Sequence, residues 1–271
     1  MKTIEMISPA KINLDLKIGS FNNKNSLHNI KTKMQKINLV DNIFLKKIPT
    51  KNRQKILIKI SGKQKKNLPT NGDNLVFKAA KIFFKETKIK DSLEIHLQKN
   101  IPQLAGLGGA SSNAAKVLKG MEKLYEQKID FKKLINLGYC LGSDVPFFIS
   151  QQNCAQITGT GEQIKKVFAE KFYVSIFMLP KIFISTKWAF QKFAELKNKK
   201  NLPANNFEKM IFYFFPDLLE LKQELLKYTE KVGLSGTGSA LFALFKNKEK
   251  QKKCNEKIKK KCSFFWMGET L

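Results

Sequence analysis

The chain has 271 residues, 42% of them hydrophobic, and suits one large domain or two modest ones with an ordinary buried core. No uninterrupted apolar run reaches the ~18 residues of a membrane span, and "MKTIEMISPAKINLDL" lacks the apolar centre and small-residue cleavage site of a signal peptide, so a cytoplasmic protein is expected. The formal net charge is +28, but it is carried by lysines spread along the chain, with Arg53 the only Arg; recognition of base edges and bidentate phosphate contacts favour Arg, so a solvated basic surface is expected rather than a nucleic-acid interface.

In chain order, "TIEMISPAKINLDLKIG" is strand-like around Pro9 and Ala10, and Lys11 stands between Ala10 and Ile12 in a segment suited to a buried strand. An ammonium there needs a carboxylate or phosphate partner, unless Lys11 simply points to solvent. "GSFNNKNSLHN" reads as a loop able to reach over a ligand, with His28 as a candidate donor. "KILIKISG" alternates as a strand, and "NLVFKAAKIFFKETK" predicts a helix capped by Asp73 or Asn74. In "SLEIHLQKNIP", Leu93, Ile95 and Leu97 share one strand face.

The turn "GLGGASSNAA" follows, and Ala114, Ala115, Val117, Leu118 and Met121 then recur at helical spacing with Ser111 and Ser112 placed to cap the first turn. Glycines at a strand-to-helix turn let an anion approach unpaired helix N–H groups, so phosphate is the first ligand to consider; a plain tight turn is the alternative. No Gly-Lys-Ser/Thr closes the turn, and Ser111 stands where a dinucleotide fingerprint needs its third glycine. "DFKKLINLGYCLGSDVPFFI" predicts a short helix capped near Asp130, a turn at Gly142 and an apolar run with Pro146. Asp144, set among glycine, serine, proline and that run, is either a partly desolvated carboxylate or a cap.

Beyond about residue 155, "AQITGTGEQI" reads as a hairpin or connection, "KFYVSIFMLP" as a strand, and "STKWAFQKFAEL" as a helix starting at Ser185 or Thr186. Two helical pieces broken by Pro216, a second glycine-rich turn over residues 233–239, a lysine-rich helix and "CSFFWMG" complete the chain. Mixed strands and helices in both halves predict an α+β protein of two domains, 1–155 and 156–271. Cys140, Cys154, Cys254 and Cys262 show no C-x-x-C pairing and accompany only two histidines, so reduced thiols, mostly buried, are expected in place of a zinc or disulfide framework.

"PAKINL", "IPQLAGLGGASSNAA", "LGSDVPFF" and "LSGTGSALFA" resemble, in order and spacing, the motifs of the GHMP small-molecule kinases. They look most like the branch of that family that uses ATP to phosphorylate the 2-hydroxyl of a cytidyl diphosphate methylerythritol in the non-mevalonate isoprenoid route. The resemblance implies an N-terminal ribosomal-protein-S5-like domain that binds ATP and a C-terminal ferredoxin-like α/β sandwich, with the active site in the cleft between them. Pro102, Gln103, Leu104, Ala105, Gly106, Leu107, Gly108, Gly109, Ala110, Ser111 and Ser112 would wrap the ATP phosphates, with Mg²⁺ accompanying ATP and no metal-ligand residue of the chain's own. Asp144 would be base or aligner for the hydroxyl, and Lys11 would stabilise charge. His28 would contact the cytosine and Phe190 stack on it, with Asn13 and Thr186 lining the substrate. A monomer or weak dimer without specific nucleic-acid or membrane partners is implied.

The chain departs from the family pattern at Leu27, where a tyrosine is usual, at Ala110, where a third glycine is common, and at Asp15, where an apolar residue is usual. Two other functions remain open: a basic nucleic-acid-binding protein on an inherited kinase fold, and a kinase of this family for another small alcohol, which Leu27 favours.

Overall fold

The computed structural model describes residues 2–23, 27–49, 54–197 and 207–271; Arg53 and positions 198–200 of the "KNKK" lysine cluster lie outside them. The chain forms two compact units, one of Met1–Ala10, Leu39–Ile101 and Gly108–Gln152, the other of Lys11–Asn38, Pro102–Leu107 and Asn153–Leu271. The last passage of the chain from one unit to the other, after Gln152, lies close to residue 155, while residues 11–38 and 102–107 are counted with the later part of the chain.

The first unit contains the start of β1 (Thr3–Asn13), the end of β3 (Leu27–Ile48), β4 (Ile56–Ser61) and β5 (Ser92–Gln98). β5 runs antiparallel to β3, with Leu45 opposite Ile95, and parallel to β4, and α1 (Leu75–Thr87) makes the crossover between the parallel pair. Of the two predicted caps for α1, Asn74 serves: its Oδ1 accepts from Val76 N at 3.1 Å. Val76, Ala79, Ala80 and Phe83 are the buried stripe that helical spacing demands. α2 (Gly109–Tyr125) packs against α1 and α4 (Val145–Ile149), and α3 (Phe131–Leu141) starts where Asp130 Oδ2 accepts from Lys133 N at 3.1 Å. A Cβ on Gly120 would stand 2.5 Å from Leu45 Cδ1 and 2.9 Å from Met6 Cγ, so this glycine lets α2 lie close on the sheet.

In the second unit, β2 (Lys17–Asn22) pairs antiparallel with the start of β3, setting Phe21 opposite His28. Residues 19–22 and 27–29, expected as part of a loop, therefore belong to paired strands, with Phe21 opposite His28, Asn22 opposite Leu27 and a register shift between Ile18 and Phe21; positions 24–26 lie outside the described residues. β6 (Cys154–Thr158) and β7 (Gln163–Lys166) form the expected hairpin, and β6 adds antiparallel to β3. A separate antiparallel sheet has the order β11 (Phe264–Glu269), β8 (Tyr173–Met178), β10 (Leu241–Phe245), β9 (Lys231–Leu234).

Helices α5 (Thr186–Lys197), α6 (Phe207–Phe214), α7 (Pro216–Leu226) and α8 (Lys248–Ile258) share one apolar core with that sheet, with Phe177, Ile211, Leu218, Leu225, Leu241 and Ile258 at its centre. Each fully buried side chain of this size contributes ~1.5–3 kcal/mol. Pro216 occupies the first turn of α7, where a missing N–H costs nothing, and so separates α6 from α7. This is the α/β sandwich that the resemblance implied.

All four cysteines are free; Cys154 and Cys254 are buried, Cys262 is half-buried and Cys140 is exposed. Burial pushes the Cys254 thiol up to about 12 and the Cys262 thiol up to about 11. Among the described residues no helix is long and apolar enough to cross a membrane.

Candidate active site

Lys11 lies near the end of β1, where the strand carries its side chain into a buried position, 3% exposed. Its Nζ donates to Asn13 Oδ1 at 2.6 Å and to Gly106 O at 2.8 Å, and its N–H donates to Leu107 O at 3.0 Å. These two acceptors are neutral, and they fix the position of the ammonium. Asn13 is equally buried and passes the chain of bonds on through Nδ2 to Thr32 Oγ1 at 2.8 Å.

The stretch Pro102–Leu107 is held from its other side by the β9–β10 turn. Ser235 Oγ donates to Gly106 O at 2.9 Å, while Ser239 N and Ala240 N donate to Leu104 O and Ala105 O, each at 3.3 Å. The two glycine-rich turns thus meet by hydrogen bonds. At Gly106 φ is +70° and a Cβ would overlap the Ser235 carbonyl oxygen, so glycine is required there both for conformation and for space. Leu104 also has positive φ, +52°, with its side chain 53% exposed; Pro102, Ala105 and Leu107 are buried and Gln103 is exposed.

In the first unit, α2 begins at Gly109, earlier than its serines suggested. Gly108 is its N-cap, left-handed at φ +68°, and no side chain caps it. Ser111 and Ser112 are inside the helix, and Ser112 Oγ accepts from Ser8 Oγ at 2.8 Å instead of capping. A left-handed glycine starts the helix here without a side chain over its first N–H groups. Ala110 lies on the exposed side of that first turn. A Cβ on Gly142 would stand 4.0 Å from Ser111 Oγ, so the loop leading to Asp144 runs beside the start of α2. Asp144, half-buried, occupies the N-cap position of α4 yet makes no side-chain capping bond there.

Below this turn lies a buried cluster that motif reading missed. Asp41, fully buried on β3, accepts from Lys99 Nζ at 2.5 Å, Asn100 N at 2.6 Å, Ile101 N at 2.9 Å and Asn113 Nδ2 at 3.1 Å. It joins the entry to the glycine stretch to the first turns of α2. Burial pulls the Lys99 ammonium below its ordinary value, with Asp41 opposing. The signal was present as an acid inside the apolar strand "INLVDNIFL".

His28 and Phe190 come together in the second unit, near-parallel with ring centroids 6.0 Å apart. Phe193 at 5.9 Å and Phe21 at 5.2 Å meet the imidazole edge-on. Thr186, exposed at the start of α5, has its Oγ1 3.4 Å from Thr237 Oγ1 in the β9–β10 turn. Asp15 has a bonding role: its Oδ1 accepts from Lys33 N at 2.5 Å, tying the end of β1 to β3.

Two family models cover more than half of the chain, GHMP kinases N terminal domain over residues 74–152 and GHMP kinases C terminal over residues 186–263. The chain belongs to the GHMP kinase family. Its relatives include a 4-diphosphocytidyl-2-C-methyl-D-erythritol kinase from Desulfotalea psychrophila, 33% identical over 276 residues that span 94% of this chain and 90% of the relative. One of the same name from Clostridium botulinum is 33% identical, spanning 97% of this chain and 98% of the relative. A solved 4-(cytidine 5'-diphospho)-2C-methyl-D-erythritol kinase superposes with TM-score 0.77 at 26% identity over 98% of this chain and 99% of that one. The mevalonate kinase of Methanococcus jannaschii, with TM-score 0.74 and 15% identity over 100% of this chain and 99% of that one, shares the GHMP fold.

As a GHMP kinase the chain uses ATP with Mg²⁺, and its residues can be tested against both. The uncapped, glycine-led start of α2 fits phosphate oxygens. Among the described residues no group of three His, Cys, Asp or Glu could hold a metal ion.

Proposed function

We propose that this chain is an ATP-dependent kinase that transfers the γ-phosphoryl group to the 2-hydroxyl of 4-diphosphocytidyl-2-C-methyl-D-erythritol, giving the 2-phosphate and ADP in the non-mevalonate route to isoprenoid precursors. Near-full-length likeness to kinases of that name supports the substrate. The observation that carries the chemistry is the buried Lys11 ammonium, fixed at the glycine turn by bonds to Asn13 Oδ1 and Gly106 O.

Phosphoryl transfer needs little covalent help from a protein; it needs positioning and charge stabilisation. In this reading residues 102–112 hold the triphosphate through backbone N–H groups, with Mg²⁺ neutralising its charge. Lys11 stabilises negative charge near the accepting oxygen. Asp144 aligns the hydroxyl and takes its proton. His28 and Phe190 hold the cytosine by donation and stacking, while Asn13 and Thr186 line the rest of the substrate. Leu27, 40% exposed beside His28, replaces an aromatic surface with an aliphatic one, which weakens affinity for the base more than it affects the reaction. Residues 1–155 and 156–271 are read as the ATP-binding and C-terminal domains. The reading also places the enzyme in the cytoplasm as a monomer or weak dimer that needs neither nucleic acid nor membrane.

ADP release that depends on the cytidyl substrate tests this reading. Asp144→Asn is expected to lower kcat ~10²–10⁴-fold, the usual contribution of a positioned general base, with the KM for ATP little changed. Equal rates in wild type and variant, or ADP release indifferent to the substrate, would sink it.

A further inference from the structure

We infer that Thr32 is a positioning residue for phosphoryl transfer: its hydroxyl sets which end of the Asn13 side chain faces Lys11. The inference rests on the role proposed above for Lys11 and extends it to a residue outside the four sequence motifs.

Thr32 is fully buried, on the part of β3 that pairs with β6. A hydroxyl has one proton, and Thr32 Oγ1 donates it to the backbone carbonyl of Asp15 at 2.5 Å, an atom that can only accept. Towards Asn13, 2.8 Å away, Thr32 Oγ1 is left as an acceptor and must face the amide Nδ2. The opposite end of the same amide, Oδ1, then points to Lys11 Nζ at 2.6 Å. The reversed amide would put a donor against the ammonium and an oxygen against a hydroxyl whose proton is committed. Both faults would be buried, where an unmade hydrogen bond is not repaid by water.

The fixed end of this relay is itself anchored. Lys33 N donates to Asp15 Oδ1 at 2.5 Å and Leu14 N donates to Lys33 O at 2.8 Å, so residues 14 and 15 are tied to Lys33, the residue next to Thr32 on β3. At the other end Gly236 lies close to both groups: a Cβ there would stand 3.2 Å from Asn13 Oδ1 and 3.3 Å from Lys11 Nζ, so glycine leaves this pair its room. The relay Asp15, Thr32, Asn13, Lys11 thus converts a backbone carbonyl on a strand end into the placement of one charge.

Thr32→Val removes the hydroxyl at nearly constant shape, and Thr32→Ser keeps it. T32V is expected to lower kcat ~10–100-fold, the penalty for a small misplacement of a positioned group, with the KM for ATP within ~threefold of wild type. T32S is expected to restore kcat to within ~threefold of wild type. If T32V does not fold by circular dichroism, T32A carries the same expectation. Combined with Asn13→Ala, T32V is expected to add no further loss, because both substitutions break one relay.

Wild-type kcat in T32V, equal impairment of T32S and T32V, or multiplicative losses in the double variant would overturn the inference. Full activity in Lys11→Ala would overturn both the role of Lys11 and the relay. An impaired Lys11→Ala beside a fully active T32V would overturn the relay alone.

Discussion

Lys11 and Asp41 are both buried charges, and they are held in different ways. The contacts of Lys11 include an amide oxygen and a carbonyl, whereas Asp41 receives an ammonium, two backbone N–H groups and an amide. Removing one partner of a buried ion pair costs ~3–5 kcal/mol, because the other charge is left without compensation. Asp41→Ala is therefore expected to destabilise the protein by about that amount in urea unfolding. Lys99→Met should cost less, because Asp41 retains three of its four donors. Equal losses would show that the ion pair alone matters. Lys11 was legible in the sequence only as a lysine between apolar neighbours; its expected carboxylate or phosphate partner is joined or replaced by Asn13 and Gly106, which spacing could not reveal. Asp41 lies outside every motif, and its partners come from positions about sixty residues further along the chain.

At the scale of elements, the start of α2 carries the largest expected effect on nucleotide binding. Gly108 is left-handed at φ +68°, and a residue with a Cβ is strained there by ~1–3 kcal/mol. Gly108→Ala is expected to weaken binding of an ATP analogue ~5–50-fold by calorimetry, from strain or displacement of the first N–H groups. Ala110→Gly touches the exposed side of an established helical turn, and should change affinity much less while costing ~0.5–1 kcal/mol of helix stability. The reverse order of effects would mean that the turn's shape does not govern binding. Helices α1, α3 and α5 were readable because a cap and an apolar period coincide in each sequence. The start of α2 was misread for the complementary reason: two serines suggested caps, while a glycine supplied the cap without a side chain. The β2–β3 pairing was hidden because Gly19, Ser20, Asn22 and Asn29, residue types that favour loops, lie within the paired strands.

For the whole molecule, the GHMP architecture was legible because four motifs recur in order, and composition alone could not have selected it. The +28 charge says little about this fold. Thiol chemistry offers a check on the second unit's core. Burial raises Cys254 and Cys262 above 9.0, to about 12 and about 11, so the folded state holds neutral thiols more strongly than the unfolded chain does. Their contribution to stability is complete below about pH 9 and is lost as pH rises towards those values. Tm is expected to fall between about pH 9 and 12, with a shallower fall in Cys254→Ala, and exposed Cys140 should react first with a thiol reagent. A steeper fall in the variant, or Cys254 reacting first, would mean that this core is open.

Phosphorus NMR of ATP turned over with 4-diphosphocytidyl-2-C-methyl-D-erythritol tests the central claim most directly. The expected spectrum gains one phosphomonoester, on the 2-hydroxyl, for every ADP formed, and Asp144→Asn slows its appearance ~10²–10⁴-fold. Free phosphate in place of that ester, or an ester formed equally fast by the variant, would contradict the account.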